Sequence, residues 1–247
     1  MKWQTKISDV RDEKEIIRGY NLMQMIEKLS FAESIFLLLR SRPASSAEKR
    51  MMDALFTAAI DHGIGVASVM SARLVASTRN SMHVAVAAGI LALGELHGSA
   101  IEGAAKFFQE HKGEKDVAAL VKDLKAKKVR ISGYGHAVLA HDQRSEKLFA
   151  IAREQGIYAG HCTLAENVKK SLDAVSSKPL PINIDGAMAA IISDMGFDWR
   201  VAKGIFIIAR VPGLVAHVYE EISAGEGLRR LSAEETEYIG EQGKNLE

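Results

Sequence analysis

Residues 82–95 are built almost entirely of Val, Ala, Ile, Leu and Gly. With no polar stripe, such a segment folds as a helix that is apolar on every face. It must be enclosed by a larger helical body or pressed against a partner surface. The rest of the chain can supply that body. Phe31, Ile35, Leu38 and Leu39 recur at i, i+4, i+7 and i+8, the stripe of an amphipathic helix. Arg40-Ser-Arg-Pro43 ends it. Further helices are expected over 46 to about 61, 66–75, 116–127, 142–155 and 163–175. Ser99-Ala-Ile-Glu102 has the capping-box pattern, so another helix should run from Ser99 to about 109. Asp185-Gly186 opens a helix that Gly196 stops. Asp198 is placed to cap a last long apolar helix, which Pro212 should kink or break. Residues 131–139 read as a glycine-containing loop, and Lys178-Pro-Leu-Pro-Ile182 as an extended segment. Strand-like alternation is scarce.

The expected fold class is therefore all-α, with two-thirds or more of the chain helical against a usual share of about a third. Residues 98–197 are more polar and more interrupted than their flanks. They are expected to form a smaller subdomain inserted in a large helical domain made of 1–97 and 198–247.

The formal net charge of +1 excludes the global basic field that holds a nucleic-acid backbone. The single cysteine, Cys162, cannot form an internal disulfide, which fits a reducing compartment. The N-terminus lacks the apolar core of a signal peptide, and no uninterrupted apolar run reads as long enough to span a bilayer. A cytoplasmic protein bound neither to membrane nor to nucleic acid is expected.

No cysteine–histidine cluster has zinc spacing, so no metal site is expected. His97, in Leu96-His97-Gly98, precedes a helix start, where a positive charge is disfavoured. A neutral imidazole there suits a hydrogen bond to a carbonyl turning into an enolate. A turn histidine with its bonds satisfied is the plainer account. His136 follows Ser132-Gly-Tyr-Gly135, a loop whose amides can face an anion or cofactor or that is simply flexible. Asp185 is a helix N-cap in the bland account. In the sharper one it is a partly desolvated carboxylate that moves a carbon-bound proton. Arg210, in an apolar helix, needs an anion or acceptor: a structural ion pair, or a substrate carboxylate. Arg144 and Arg230 are plainer still, since most arginines are solvated.

The ordered set IRGY, DHG, LHG, GYGHAV followed by an arginine, NIDG and ARVPGLVAH resembles the citrate synthase superfamily, and within it the short, citryl-CoA-lyase-like members. The likeness covers Ile17 to about Tyr238. It implies a multi-helical fold in which His97 hydrogen-bonds an acetyl-CoA carbonyl, His136 exchanges a proton with the oxygen of the other substrate, and Asp185 moves the methyl proton. His62, Arg144 and Arg210 would bind the acid. Arg230 would complete the site of a partner subunit, so a homodimer is implied. Coenzyme A, as part of the substrate rather than a tightly bound cofactor, would lie against Ser132, Gly133, Tyr134, Gly135, Val138, Lys178 and Asn183. Two departures stand out. The chain has Asp142-Gln-Arg144 where the family commonly has Asp-Pro-Arg, and leucine follows Arg230 where proline is common.

The implied activity is cleavage of citryl-CoA, or a related 3-hydroxyacyl-CoA, to acetyl-CoA and oxaloacetate or another 2-oxo acid. Alternatives are citrate synthase-type condensation with thioester hydrolysis, and an inactive CoA-binding scaffold subunit. Retention of His97, His136 and Asp185 argues against the scaffold.

Overall fold

A computed structural model describes residues 2–11, 14–98, 100–135 and 141–245. The chain opens with an antiparallel sheet: β1 (Ser8–Arg11), β2 (Lys14–Ile17) and β3 (Tyr20–Asn21). In its register Ser8 faces Ile17 and Ile17 faces Tyr20. These strands were not expected, because most of their residues are exposed and no apolar alternation marks them. The turn fixes them instead. Arg18 and Gly19 both have positive φ, the two-residue hairpin geometry that suits twisted strands. Arg18 Nε also donates to Leu38 O at 2.9 Å, pinning the sheet to the helix over Phe31–Arg40.

Helices follow: α1 (Leu22–Lys28), α2 (Phe31–Arg40), α3 (Ser46–Ala59), α4 (Ala67–Ser77), α5 (Met82–Leu91), α6 (Ala100–Glu110), α7 (Val117–Ala126), α8 (Gln143–Glu154), α9 (Gly160–Val175), α10 (Ile184–Asp194) and α11 (Ala202–Ala224). Helix makes up 58% of the chain, an all-α architecture as expected though short of two-thirds. Capping boxes start α2 at Ser30 with Glu33 and α3 at Ser45 with Glu48. The expected box at Ser99 falls on a residue outside those described. Asp198 caps a short 3-10 turn that leads into α11. The last helix passes through Pro212 without a break. By length and mean composition the helix at 199–224 is apolar enough to cross a membrane, although Lys203 and Arg210 interrupt its apolar run. In this chain it is a core helix, with Ile205, Phe206, Ala209, Leu214 and Val218 buried.

The chain divides into two compact units, one of residues 1–62 and 93–213, the other of 63–92 and 214–247. In the first, α10 is the central helix. Every residue from Gly186 to Ser193 is buried, against α6, α9, α8 and α3. In the second, α5 packs on α4 through small residues: a Cβ on Gly89 would meet Ser68 O at 2.9 Å and Ala72 Cβ at 3.1 Å. This close approach covers one side of α5 only. Leu91 is 85% exposed. Of the two fates open to an all-apolar helix, α5 is therefore not enclosed within its own unit.

Asp194, at the end of α10, anchors the start of α9. Its carboxylate accepts from the backbone N–H of Ala159 (2.8 Å), His161 (2.9 Å) and Cys162 (3.0 Å), and pairs with His161 Nδ1 at 2.9 Å. It thus satisfies N–H groups that a helix start leaves unpaired. Burial works against its charge, but the hydrogen bonds from His161, Cys162 and the backbone win and hold its pKa at about 2. A depressed carboxylate pKa contributes stability that is present above the unfolded value and lost as pH falls from about 4 towards 2. Asp194→Ala should cost about 3 kcal/mol in urea unfolding at pH 7. The cost should shrink on acidification through that window, and a pH-independent loss would contradict this account.

Candidate active site

The candidate site draws on three helix ends and the interior of a fourth helix. Asp61 and His62 follow α3, Asp142 and Arg144 begin α8, Asp185 lies in the first turn of α10, and Arg210 lies along α11. His97 sits in the segment between α5 and α6, its N–H bonded to Gly94 O at 2.9 Å.

Asp142 joins two of these ends. Its side chain is 1% exposed and accepts twice from the Arg144 guanidinium, from Nε at 3.0 Å and from Nη2 at 2.9 Å. It also takes the backbone N–H of Arg144 at 3.1 Å and that of Ile184, the first residue of α10, at 3.0 Å. Burial opposes the charge, yet hydrogen bonds and attraction from Arg144 hold the Asp142 pKa below the usual carboxylate range. With two nitrogens committed, Arg144 turns Nη1 towards His62 Nδ1, 3.3 Å away. Ser145 Oγ adds a 2.8 Å bond to Ile182 O.

Asn183, not Asp185, is the N-cap of α10: its side chain accepts from Gly186 N at 3.1 Å. Asp185 is thus released from the capping role open to it in the sequence. Its Oδ1 is buried and makes no hydrogen bond among the described residues. Burial raises its pKa, Arg210 and Arg144 pull it down, Asp142 pushes it up, and the outcome is about 6. Arg210 is 3% exposed and donates from Nε to Ala59 O at 2.8 Å. Its Nη1 is also buried without a hydrogen bond among the described residues. Burial lowers its pKa, while Asp61 and Asp185 favour its charge. The His97 pKa is lowered by burial and by the Arg210 charge. The imidazole is held towards its neutral form, as expected, but burial and Arg210 do this rather than a helix terminus.

The loop at Ser132–Gly135 lies directly on α10. A Cβ on Gly133, where φ is +91°, would stand 2.7 Å from Gly186 Cα, and one on Gly186 only 2.3 Å from Gly133 O. Gly135 N donates to Pro181 O at 2.8 Å, and Asn183 N to Gly133 O at 3.0 Å. Asn183 Nδ2 reaches Gly135 O at 3.0 Å. The Tyr134 ring is buried and its hydroxyl donates to Ala165 O at 2.9 Å, so this side chain faces the core. Ser132 Oγ abuts Gly103, and Lys178 is exposed. His136 and Val138 lie outside the described residues. Arg230 is exposed in the second unit.

The family description "Citrate synthase, C-terminal domain" matches residues 27–231. The chain belongs to the citrate synthase family. It is 28% identical over 209 residues to "Citrate synthase 2" of Bacillus subtilis, covering 83% of this chain and 56% of that one. It is 30% identical over 214 residues to the 2-methylcitrate synthase of Shewanella oneidensis, covering 82% and 54%. The chain thus spans a little over half the length of these curated relatives. Among solved structures, the citryl-CoA lyase from Hydrogenobacter thermophilus superposes with a TM-score of 0.95 at 44% identity, covering 99% of this chain and 97% of that one. The ATP citrate lyase of Methanosaeta concilii shares the fold, with a TM-score of 0.88 at 22% identity over 98% of this chain and 42% of its own.

Sequence reasoning passed over Asp61 and Asp142. The signal for Asp142 was present: an aspartate two residues before an arginine at a helix start caps the helix and faces the guanidinium at once. The raised Asp185 pKa has a cost in stability. Ionising this carboxylate in the folded chain becomes unfavourable as pH climbs from about 4 past 6, and the whole cost is present at pH 7. Asp185→Asn should therefore be more stable than the parent at pH 7, on the order of 1–2 kcal/mol in urea unfolding. The gain should fade near pH 4, and equal stabilities at pH 7 would refute it.

Proposed function

We propose that the chain is a citryl-CoA lyase-like enzyme that cleaves citryl-CoA, or a close 3-hydroxyacyl-CoA, to acetyl-CoA and a 2-oxo acid. One observation carries this reading. A carboxylate with its pKa near 6 stands within the fields of two arginines, one of which also holds a histidine towards neutrality. The 44% identity to a citryl-CoA lyase over nearly the whole of both chains supports the lyase direction.

The residues fit the steps. Arg144 and Arg210, with His62, hold the carboxylates of the acid; the unused Nη1 of Arg210 is a donor that a carboxylate satisfies. His136 takes the proton of the tertiary hydroxyl. The carbon–carbon bond next to the thioester then breaks, leaving the 2-oxo acid and the enolate of acetyl-CoA. The neutral imidazole of His97 donates to the enolate oxygen as charge develops, and Asp185 delivers its proton to the methylene carbon. A pKa near 6 lets Asp185 serve as acid here and as base in reverse near neutral pH. Coenzyme A would lie along residues 132–138 and 178–183. The rigid contact of Gly133 with Gly186 would keep the thioester carbonyl and Asp185 in register.

The curated relatives carry synthase names, which favours condensation followed by hydrolysis as the second reading. Purified protein given citryl-CoA separates the two. Acetyl-CoA and oxaloacetate in equal amounts are expected, and Asp185→Ala should lose about 100- to 10,000-fold in kcat. Release of citrate without oxaloacetate would favour the synthase. No turnover of this or related hydroxyacyl-CoAs would overturn both.

The active unit would be a homodimer in which Arg230 completes the partner's site. Met70, Leu74, Leu91, Tyr219 and Ile222 of the second unit are each about half exposed or more, an apolar surface that a second copy would cover. Leu91→Glu should shift the mass in solution from dimer to monomer and lower activity. A parent protein that is monomeric and fully active would refute the shared site.

A further inference from the structure

A cavity of about 390 Å³ lies between α3 and α8, a size within the range of small-ligand sites. Its charged lining is of one sign: Arg50 from α3, and Arg144 and Lys147 from α8, around an apolar floor that includes Ala54 and Leu148. Among the described residues no acidic side chain lines it. Arg50 and Lys147 are exposed, and among the described residues neither has an ion-pair partner. Arg144 belongs to the active site as well. Asp142 holds it, and its Nη1 faces His62. The cavity therefore ends on the arginine to which the acid portion of the substrate is assigned. None of the segments assigned to coenzyme A contributes to its lining.

We propose that this cavity is a collecting site for the multiply charged carboxylate, where Arg50 and Lys147 take the 2-oxo acid on its way to or from Arg144. The inference rests on the active-site reading given above. A cleft lined by one sign of charge over apolar walls concentrates counter-ions and raises their rate of entry. Single exposed charge pairs contribute little and are screened by salt. The two side chains should therefore govern capture of the anion, not its chemistry, and do so most strongly at low ionic strength.

Arg50→Gln combined with Lys147→Gln tests this, with oxaloacetate and coenzyme A titrated separately by calorimetry at low and high salt. Oxaloacetate should bind about 3- to 10-fold more weakly to the variant at low salt. The gap should close at high salt, and the affinity for coenzyme A and the kcat for citryl-CoA should be unchanged. Unchanged oxaloacetate affinity at low salt overturns the proposal. So does a loss of coenzyme A affinity in its place, which would assign the cavity to the phosphates of the thioester substrate. Failure of the parent to bind oxaloacetate also overturns it. A parent that binds oxaloacetate but cleaves no hydroxyacyl-CoA refutes the lyase reading while leaving the collecting site standing. A parent that turns over normally beside an indistinguishable variant refutes the collecting site alone.

Discussion

The carboxylate of Asp142 is the joint on which the site depends. A buried carboxylate is costly unless its lone pairs are met by donors. Here they are met by a guanidinium on one side and the first N–H of α10 on the other. Those two sets of bonds fix the start of α8 against the start of α10. They orient Arg144 towards His62, and they place a negative charge near enough to Asp185 to raise its proton affinity. Position and charge thus come from one side chain.

Around that joint the first unit is organised by α10. The helix is enclosed along its length, tied at its end to α9 through Asp194 and pressed at its start against the 133–135 loop. This enclosure allows Asp185 to stay partly desolvated with one oxygen unsatisfied, because the packing of the rest of the helix offsets a local penalty. Arg210, buried with a free donor, is a second such penalty in the same unit. Unsatisfied buried groups are uncommon in folded chains and gather where a ligand will use them.

The two apolar helices show where pattern reading stops. Residues 82–95 read as a helix apolar on every face, and residues 184–194 are comparably rich in Ala, Ile and Met. One is the centre of a unit, while the other leaves Leu91 bare. Periodicity reports that a face is apolar but not what will cover it. The N-terminal sheet failed in the opposite sense. Its strands carry no apolar alternation, and their cause is a turn whose two residues take positive φ. The Arg-Gly pair at 18–19 was noticed as part of a family motif, not as a hairpin turn.

From the sequence alone came the helices with strong period or clear caps, the family, and a set of candidate residues that includes His62, His97, Arg144, Asp185 and Arg210. These are local or ordered properties, written in residue type and spacing. Tertiary structure decided what each residue is free to do. Taken alone, Asp185 read better as an N-cap until Asn183 was seen to hold that place, and Arg144 was an ordinary arginine until Asp142 fixed two of its nitrogens. The His97 pKa was expected to be lowered by a helix end, and burial and Arg210 lower it instead. Proton affinity and hydrogen-bond availability are set by neighbours within a few ångströms. For these residues the neighbours come from segments tens of positions away, so only the folded chain determines them.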